Sequence, residues 1–190
     1  RNTKAFPCSQ IQRSVFKSMI YGGSVMILIA IGSNLSHPEF GPPLAVCEAA
    51  VVAIVAGGCS VSAQSRWFRS AAVPASDQPD FVNGVISVET TMAPAEFLIF
   101  LHRIEAQFDR KRSVPNAART LDLDLLTFGD ILNNGPVSPI LPHPRMTERA
   151  FVLLPLGDIA PNWAHPVSGT QLSVLIAELP ADQHCVPLKS

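Results

Sequence analysis

Asp122 and Asp124 are separated by one leucine in the run Leu121-Asp-Leu-Asp-Leu-Leu-Thr-Phe128. In an extended strand the side-chain period is two, so both carboxylates leave one face while Leu121, Leu123 and Leu125 fill the other. Two acids at that spacing repel, and a cation between or beside them removes the repulsion. Mg²⁺ suits such a pair: it takes hard oxygen ligands, uses one or two carboxylates, and completes its shell with water and substrate phosphates. The alternative is a strand face carrying two solvated acids. The cations nearby weigh against it. Of the ten Lys and Arg beyond residue 24, seven (Arg103, Arg110, Lys111, Arg112, Arg119, Arg145 and Arg149) fall between 103 and 149, and none lies between 18 and 65. Guanidinium forks and a divalent ion together can share the charge of a polyphosphate. Neither G-x-x-x-x-G-K-[ST] nor G-x-G-x-x-G occurs, so charge must do the holding.

The elements that position these residues follow from periodicity. Val25 to Ile31 is a continuous apolar run closed by Gly32-Ser33-Asn34, which predicts a buried strand and a turn. Pro42-Pro43 opens an Ala- and Val-rich helix over 42–56 that Gly57-Gly58 ends. Alternation predicts a strand from Ser60 to Phe68, the prolines of Ser70 to Pro79 a loop available for substrate contact, and Phe81 to Thr90 another strand. From Pro94, the spacing of Phe97, Leu101, Ile104 and Phe108 marks one face of a helix. Strand, helix, strand, strand, helix, strand is the order of an α+β, ferredoxin-like βαββαβ unit with helices on one face of the sheet. Beyond it lie Pro-rich loops, a short run from Phe151 to Leu156 and a helix from Thr170 to Leu179.

The chain of 190 residues suits one domain, with 47% hydrophobic and 15% charged residues. Residues 1–24 read as a leader, tag or extension and 25–190 as the domain. The cations Arg1, Lys4, Arg13 and Lys17 before the first apolar run imitate a signal peptide, but no small-residue cleavage site follows, and the run is too short to cross a bilayer. A net charge of −1 removes the broad electrostatic case for nucleic acid or an anionic membrane. Cys8, Cys47, Cys59 and Cys185 have no zinc spacing and read as reduced thiols of a cytoplasmic protein. His37, His102, His165 and His184 show no metal spacing either. Arg66-Trp67-Phe68-Arg69 suggests nucleic-acid stacking, against which Trp67 reads better as strand packing.

Five blocks, in order, are similar to 6-hydroxymethyl-7,8-dihydropterin pyrophosphokinases: Ile31-Gly32-Ser33-Asn34-Leu35, Gln78-Pro79-Asp80-Phe81-Val82-Asn83, Arg103-Ile104-Glu105, Arg119 through Leu126, and Pro142-His143-Pro144-Arg145. The resemblance covers residues 26–180. It implies a ferredoxin-like, three-layer α/β/α monomer that moves the β,γ-diphosphoryl group of ATP onto a dihydropterin hydroxymethyl oxygen, releasing AMP. Asp122 and Asp124 match the metal-binding acids for two Mg²⁺ ions. Arg110 and Arg112 match mobile-loop arginines that close on the triphosphate, and Arg119 and Arg149 match further phosphate contacts. His143 and the Glu105 block match the ATP side. Asp109 stands where the family usually has glycine, Ser113 where a further cation is common, and Asn116 where tryptophan is common.

A flat pterin needs aromatic faces and a side chain that both donates and accepts hydrogen bonds. Phe81 and Phe151 match the stacking aromatics and Asn83 the pterin-reading amide, with backbone groups around Ser70, Ala71 and Val73 completing the contact. Without the resemblance, the two phenylalanines read equally as core residues and Asn83 as a turn former. No general base is evident, so positioning and charge stabilisation must carry the transfer, with Asp122 or Asp124 as proton acceptor. Competing readings are another two-metal nucleotidyl- or phosphoryl-transferase and an RNA-binding module of the same topology.

Overall fold

The computed structural model describes residues 26–74, 76–110 and 118–189. The chain runs β1 (Ile27–Ser33), α1 (Pro43–Ala56), β2 (Ser60–Gln64), β3 (Phe68–Ser70), β4 (Phe81–Glu89), α2 (Pro94–Gln107), β5 (Asp122–Phe128), α3 (Ala150–Ile159), α4 (Leu172–Ala177) and β6 (Cys185–Pro187). Lys111, Arg112, Ser113, Asn116 and the segment read as a leader lie outside the described residues.

The apolar run of β1 is buried along its whole length, as a strand covered on both faces must be. It pairs antiparallel with β4 on one side and β5 on the other, in a sheet ordered β5-β1-β4-β3-β6 with β2 also on β4. This is an α+β fold on an antiparallel sheet. Alternation along β1 splits the core. Ile27, Ile29 and Ile31 pack with Val46, Ala50 and Ile54 of α1 and Phe97, Leu101 and Ile104 of α2. Leu28 and Ala30 pack with Val152, Leu153 and Leu156 of α3 and Leu172 and Leu175 of α4. Helices therefore cover both faces, where element order alone predicts one; the second layer comes from residues after the βαββαβ order is complete.

Prolines at the first turn open α1 and α2, where a missing N–H costs nothing. A Cβ at Gly57, just past α1, would sit 2.3 Å from the Phe100 ring of α2, so glycine lets the helices meet there.

The strand expected over Ser60 to Phe68 is two strands. Ser65 leaves the ladder but stays tied to it, its Oγ accepting the Val85 N–H at 3.0 Å. Trp67 then lies over Gly84, where a Cβ would approach its ring to 2.7 Å. A bulky ring seated on a bare backbone position interrupts pairing, and Trp67 is indeed a packing residue. The Phe151 to Leu156 run is the middle of helix α3, the last helix is shorter than 170–179, and the three-residue edge strand β6 left no pattern to read.

Candidate active site

Asp122 and Asp124 leave the same face of β5, opposite Leu121, Leu123 and Leu125, which are buried against α1 and α2. Their side chains are 21% and 30% exposed, so both are accessible without being fully solvated. Asp122 meets Arg119 at 2.8 Å and Arg110 at 2.6 Å. Asp124 accepts a hydrogen bond from Arg149 at 3.2 Å and has His143 Nε2 at 3.9 Å. Asp122 Oδ1 is enclosed and forms no well-directed hydrogen bond, its neighbour being the Arg110 guanidinium at 2.6 Å, a position that a metal cation would suit. No group of three or more His, Cys, Asp or Glu converges among the described residues. A donor set of two carboxylates fits Mg²⁺, which keeps most of its shell for water and phosphate oxygens.

The arginines also reach the aromatic residues. Arg119 lies 6.0 Å from the centroid of Phe81, and Arg149 lies 5.3 Å from that of Phe151. Each guanidinium thus bridges one acid of β5 to one ring, which brings together residues from three separate segments. Asn83 joins them through the sheet. It pairs with Gly32, which pairs in turn with Asp122, and a Cβ at Gly32 would stand 3.0 Å from Asn83 Oδ1. Asn83 is buried and donates through Nδ2 to Ser70 Oγ at 2.9 Å, leaving its oxygen turned toward Gly32. Ala71 and Val73 follow Ser70 in an exposed loop.

Glu105 is 1% exposed, deeper than a nucleotide contact requires. Its Oε1 accepts the Leu123 N–H at 2.8 Å and pairs with Arg110. It therefore ties the end of α2 to the edge of β5 between the two acids. His143 donates its backbone N–H to the Leu126 carbonyl at 2.7 Å, which holds its ring beside Asp124. Burial lowers the imidazole's proton affinity, against the pull of Asp124 and with the push of Arg149 and Arg145. Burial likewise lowers the pKa of Arg149, mainly offset by Asp124.

Beside Asp124 opens a cavity of about 300 Å³, lined among others by Leu98, His102, Arg110, Ile140 and His143. Leu98 and Ile140 had no sequence signal as site residues, Leu98 reading as part of a helix face and Ile140 sitting in a Pro-rich loop; His102 had only a weak one, its place shortly before the loop arginines. Asn34 is a further residue without an assigned role. It accepts the Arg119 N–H at 2.8 Å and donates to the Pro79 carbonyl at 3.2 Å, joining the segment before β5 to the one before β4.

A family model described as 7,8-dihydro-6-hydroxymethylpterin-pyrophosphokinase (HPPK) matches residues 28–161. The chain is 38% identical over 153 residues to the 2-amino-4-hydroxy-6-hydroxymethyldihydropteridine pyrophosphokinase of Synechocystis sp., covering 80% of this chain and 75% of that one. It is 38% identical over 160 residues to the protein of the same name from Pseudomonas aeruginosa, covering 81% and 91%. Some relatives are far longer: the chain spans 19% of the folic acid synthesis protein fol1 of Pneumocystis carinii, at 34% identity over 77% of its own length. A crystal structure of Plasmodium falciparum HPPK-DHPS shares the fold, with a TM-score of 0.61 at 13% identity over 80% of this chain and 44% of that one. With the family model spanning most of the chain and two relatives matched over three quarters or more of their length, the chain belongs to the 7,8-dihydro-6-hydroxymethylpterin-pyrophosphokinase family.

Proposed function

We infer that the acid-bearing face of β5 is where this chain carries out its family's reaction, ATP-dependent transfer of diphosphate to 6-hydroxymethyl-7,8-dihydropterin in folate synthesis. The observation that carries this placement is the bridging of both acids by arginines to Phe81 and Phe151, with a cavity open beside Asp124. The hydroxymethyl oxygen forms its bond to the β-phosphorus of ATP as the bond to the α–β bridging oxygen breaks, and AMP leaves.

Asp122 and Asp124 would hold Mg²⁺, two ions in the full site, and the bound metal supplies charge neutralisation of the phosphate chain. Arg110, Arg119 and Arg149 would turn toward phosphate oxygens, where bidentate contacts would fix the triphosphate in line. The apolar walls of the cavity suit a purine, with His143 at its mouth. Phe81 and Phe151 would stack on the pterin once the guanidinium groups move to phosphate, and the Asn83 oxygen would accept from the pterin edge. Backbone groups at Ser70, Ala71 and Val73 complete that pocket. Arg112 belongs to the same phosphate-binding set. Proton loss from the hydroxyl falls to Asp122 or Asp124, since the described residues offer no better-placed base.

The sheet order, with β2 and β3 together in the place of one strand of a βαββαβ unit, supports a ferredoxin-like core in a three-layer α/β/α arrangement. We read the chain as a monomer working in the cytoplasm. No described helix is long and apolar enough to cross a membrane.

Asp124→Ala tests the placement. AMP formation from ATP and the dihydropterin should fall by roughly a hundredfold or more, as loss of a metal-placing carboxylate removes several kcal/mol of transition-state stabilisation. Near-normal turnover would refute it. Release of diphosphate in place of AMP would instead mark a nucleotidyltransferase.

A further inference from the structure

The loop between β1 and α1 holds a side-chain cluster that the transfer steps above do not use. His37 is buried, and its Nδ1 accepts the backbone N–H groups of Glu39 at 3.1 Å and Phe40 at 3.3 Å. A ring nitrogen that accepts two such bonds carries no proton, so the ring proton sits on Nε2. Nε2 lies 3.1 Å from Asp109 Oδ2 and donates to it. The ring cannot swing away. Phe40 packs on it at 4.8 Å between centroids, Phe40 stacks in turn on Phe108 at 4.3 Å, and paired 2.8 Å backbone bonds between His37 and Gly41 close the turn.

Asp109 is the only non-glycine residue with positive φ among the described residues, at 57°. It ends α2 in a left-handed turn: the Asp109 N–H donates to the Ala106 carbonyl at 3.3 Å, and the Arg110 N–H donates to the Glu105 carbonyl at 3.1 Å. This is the geometry in which glycine usually stands, because a Cβ is strained there. The turn sends Arg110 back toward β5, where its guanidinium meets Glu105 and, at 2.6 Å, Asp122. Among the described residues, the side chain that compensates an aspartate in this position is His37, through its hydrogen bond. The same loop grips the other arginine of Asp122, through Asn34 and the Arg119 backbone.

We propose that His37, acting through Asp109, is a positioning residue for the diphosphoryl transfer: its Nε2–H bond fixes the left-handed turn that delivers Arg110 to Asp122. This rests on the placement of the transfer site on β5.

Three substitutions test it. Asp109→Gly takes the turn without strain and loses the bond, His37→Ala loses it from the other side, and Asp109→Asn keeps an accepting oxygen. We expect D109G and H37A each to lower kcat about fivefold or more with KM for the dihydropterin changed less than about twofold, and D109N to stay within about twofold in kcat. The H37A/D109G double variant should be no slower than the slower single, because both remove one bond. Melting curves of the same proteins show that the loss occurs in folded enzyme. A D109G kcat within about twofold of the unsubstituted chain, or a double variant whose loss is the product of the two, overturns the proposal. Ring-nitrogen NMR reads the bond without turnover: His37 should carry its proton on Nε2, with a shift that moves in D109G and not in D109N. A proton on Nδ1, or an Nε2 shift indifferent to D109G, also overturns it. Absence of AMP formation by the unsubstituted chain overturns the placement of the reaction instead, and leaves the NMR result standing.

Discussion

Gly32 shows how one missing side chain joins two halves of a site. It lies between Asp122 and Asn83 in the sheet, and a Cβ there would crowd Asn83 Oδ1 at 3.0 Å. Asn83 cannot simply give way, because Ser70 holds its Nδ2. Gly32→Ala should therefore raise KM for the dihydropterin about tenfold, some 1.4 kcal/mol, with KM for ATP nearly unchanged. Steady-state kinetics with each substrate varied decide it, and equal effects on both would show that Asn83 does not read the pterin. Cys47 illustrates the opposite condition, a reactive group made inert. Burial pushes its thiol up to about 12, with Glu48 adding to the effect. Alkylation at pH 8 followed by peptide mass spectrometry should leave Cys47 unlabelled in the native chain and labelled in denaturant. Rapid native labelling would mean that α1 opens.

At the scale of elements, β5 is an edge strand with α2 locked to its free side. The lock is Glu105, which takes the outward Leu123 N–H and holds Arg110. Removing a buried partner leaves both the amide and the guanidinium uncompensated, so Glu105→Ala should cost about 3 kcal/mol of stability. Urea unfolding measures this, and a loss below about 1 kcal/mol would mean that the contact is not a structural one. The strand itself was legible: alternation of Leu and Asp required the acids to share a face whatever lay around them. The lock was not. Glu105 falls on the apolar face of α2 with Phe97, Leu101 and Ile104, and nothing in its spacing says that it meets an amide eighteen residues on. The break between β2 and β3 was hidden for the same reason, since alternation continues through Ser65 while the contact that interrupts it, Trp67 on Gly84, belongs to another strand.

Across the described molecule, the shifted groups that titrate below neutrality act with one sign. Burial holds His143 and His165 below the ordinary histidine value of 6.5, and the Arg66 hydrogen bond holds Asp158 below 3.8. In each case the unfolded chain binds protons more tightly than the native one. The contribution is complete above the unfolded pKa and is lost as pH falls, first through the histidines below 6.5 and then through Asp158 below 3.8. The urea midpoint should therefore drop between pH 7.5 and 5.5, and His165→Gln should make the drop shallower. A midpoint that rises on acidification would contradict these assignments. Read alone, the amino-acid sequence determined the shared face of Asp122 and Asp124, the apolar face of α2, the cation-rich half and the five family blocks, because backbone repeats dictate where neighbouring side chains point. Only the tertiary structure decided which arginine meets which acid, that His37 reaches Asp109, and that a second helical layer brings Arg149 and Phe151 to the strand. Those contacts join segments far apart in the chain, and sheet register and core packing, which no local pattern encodes, set their distances.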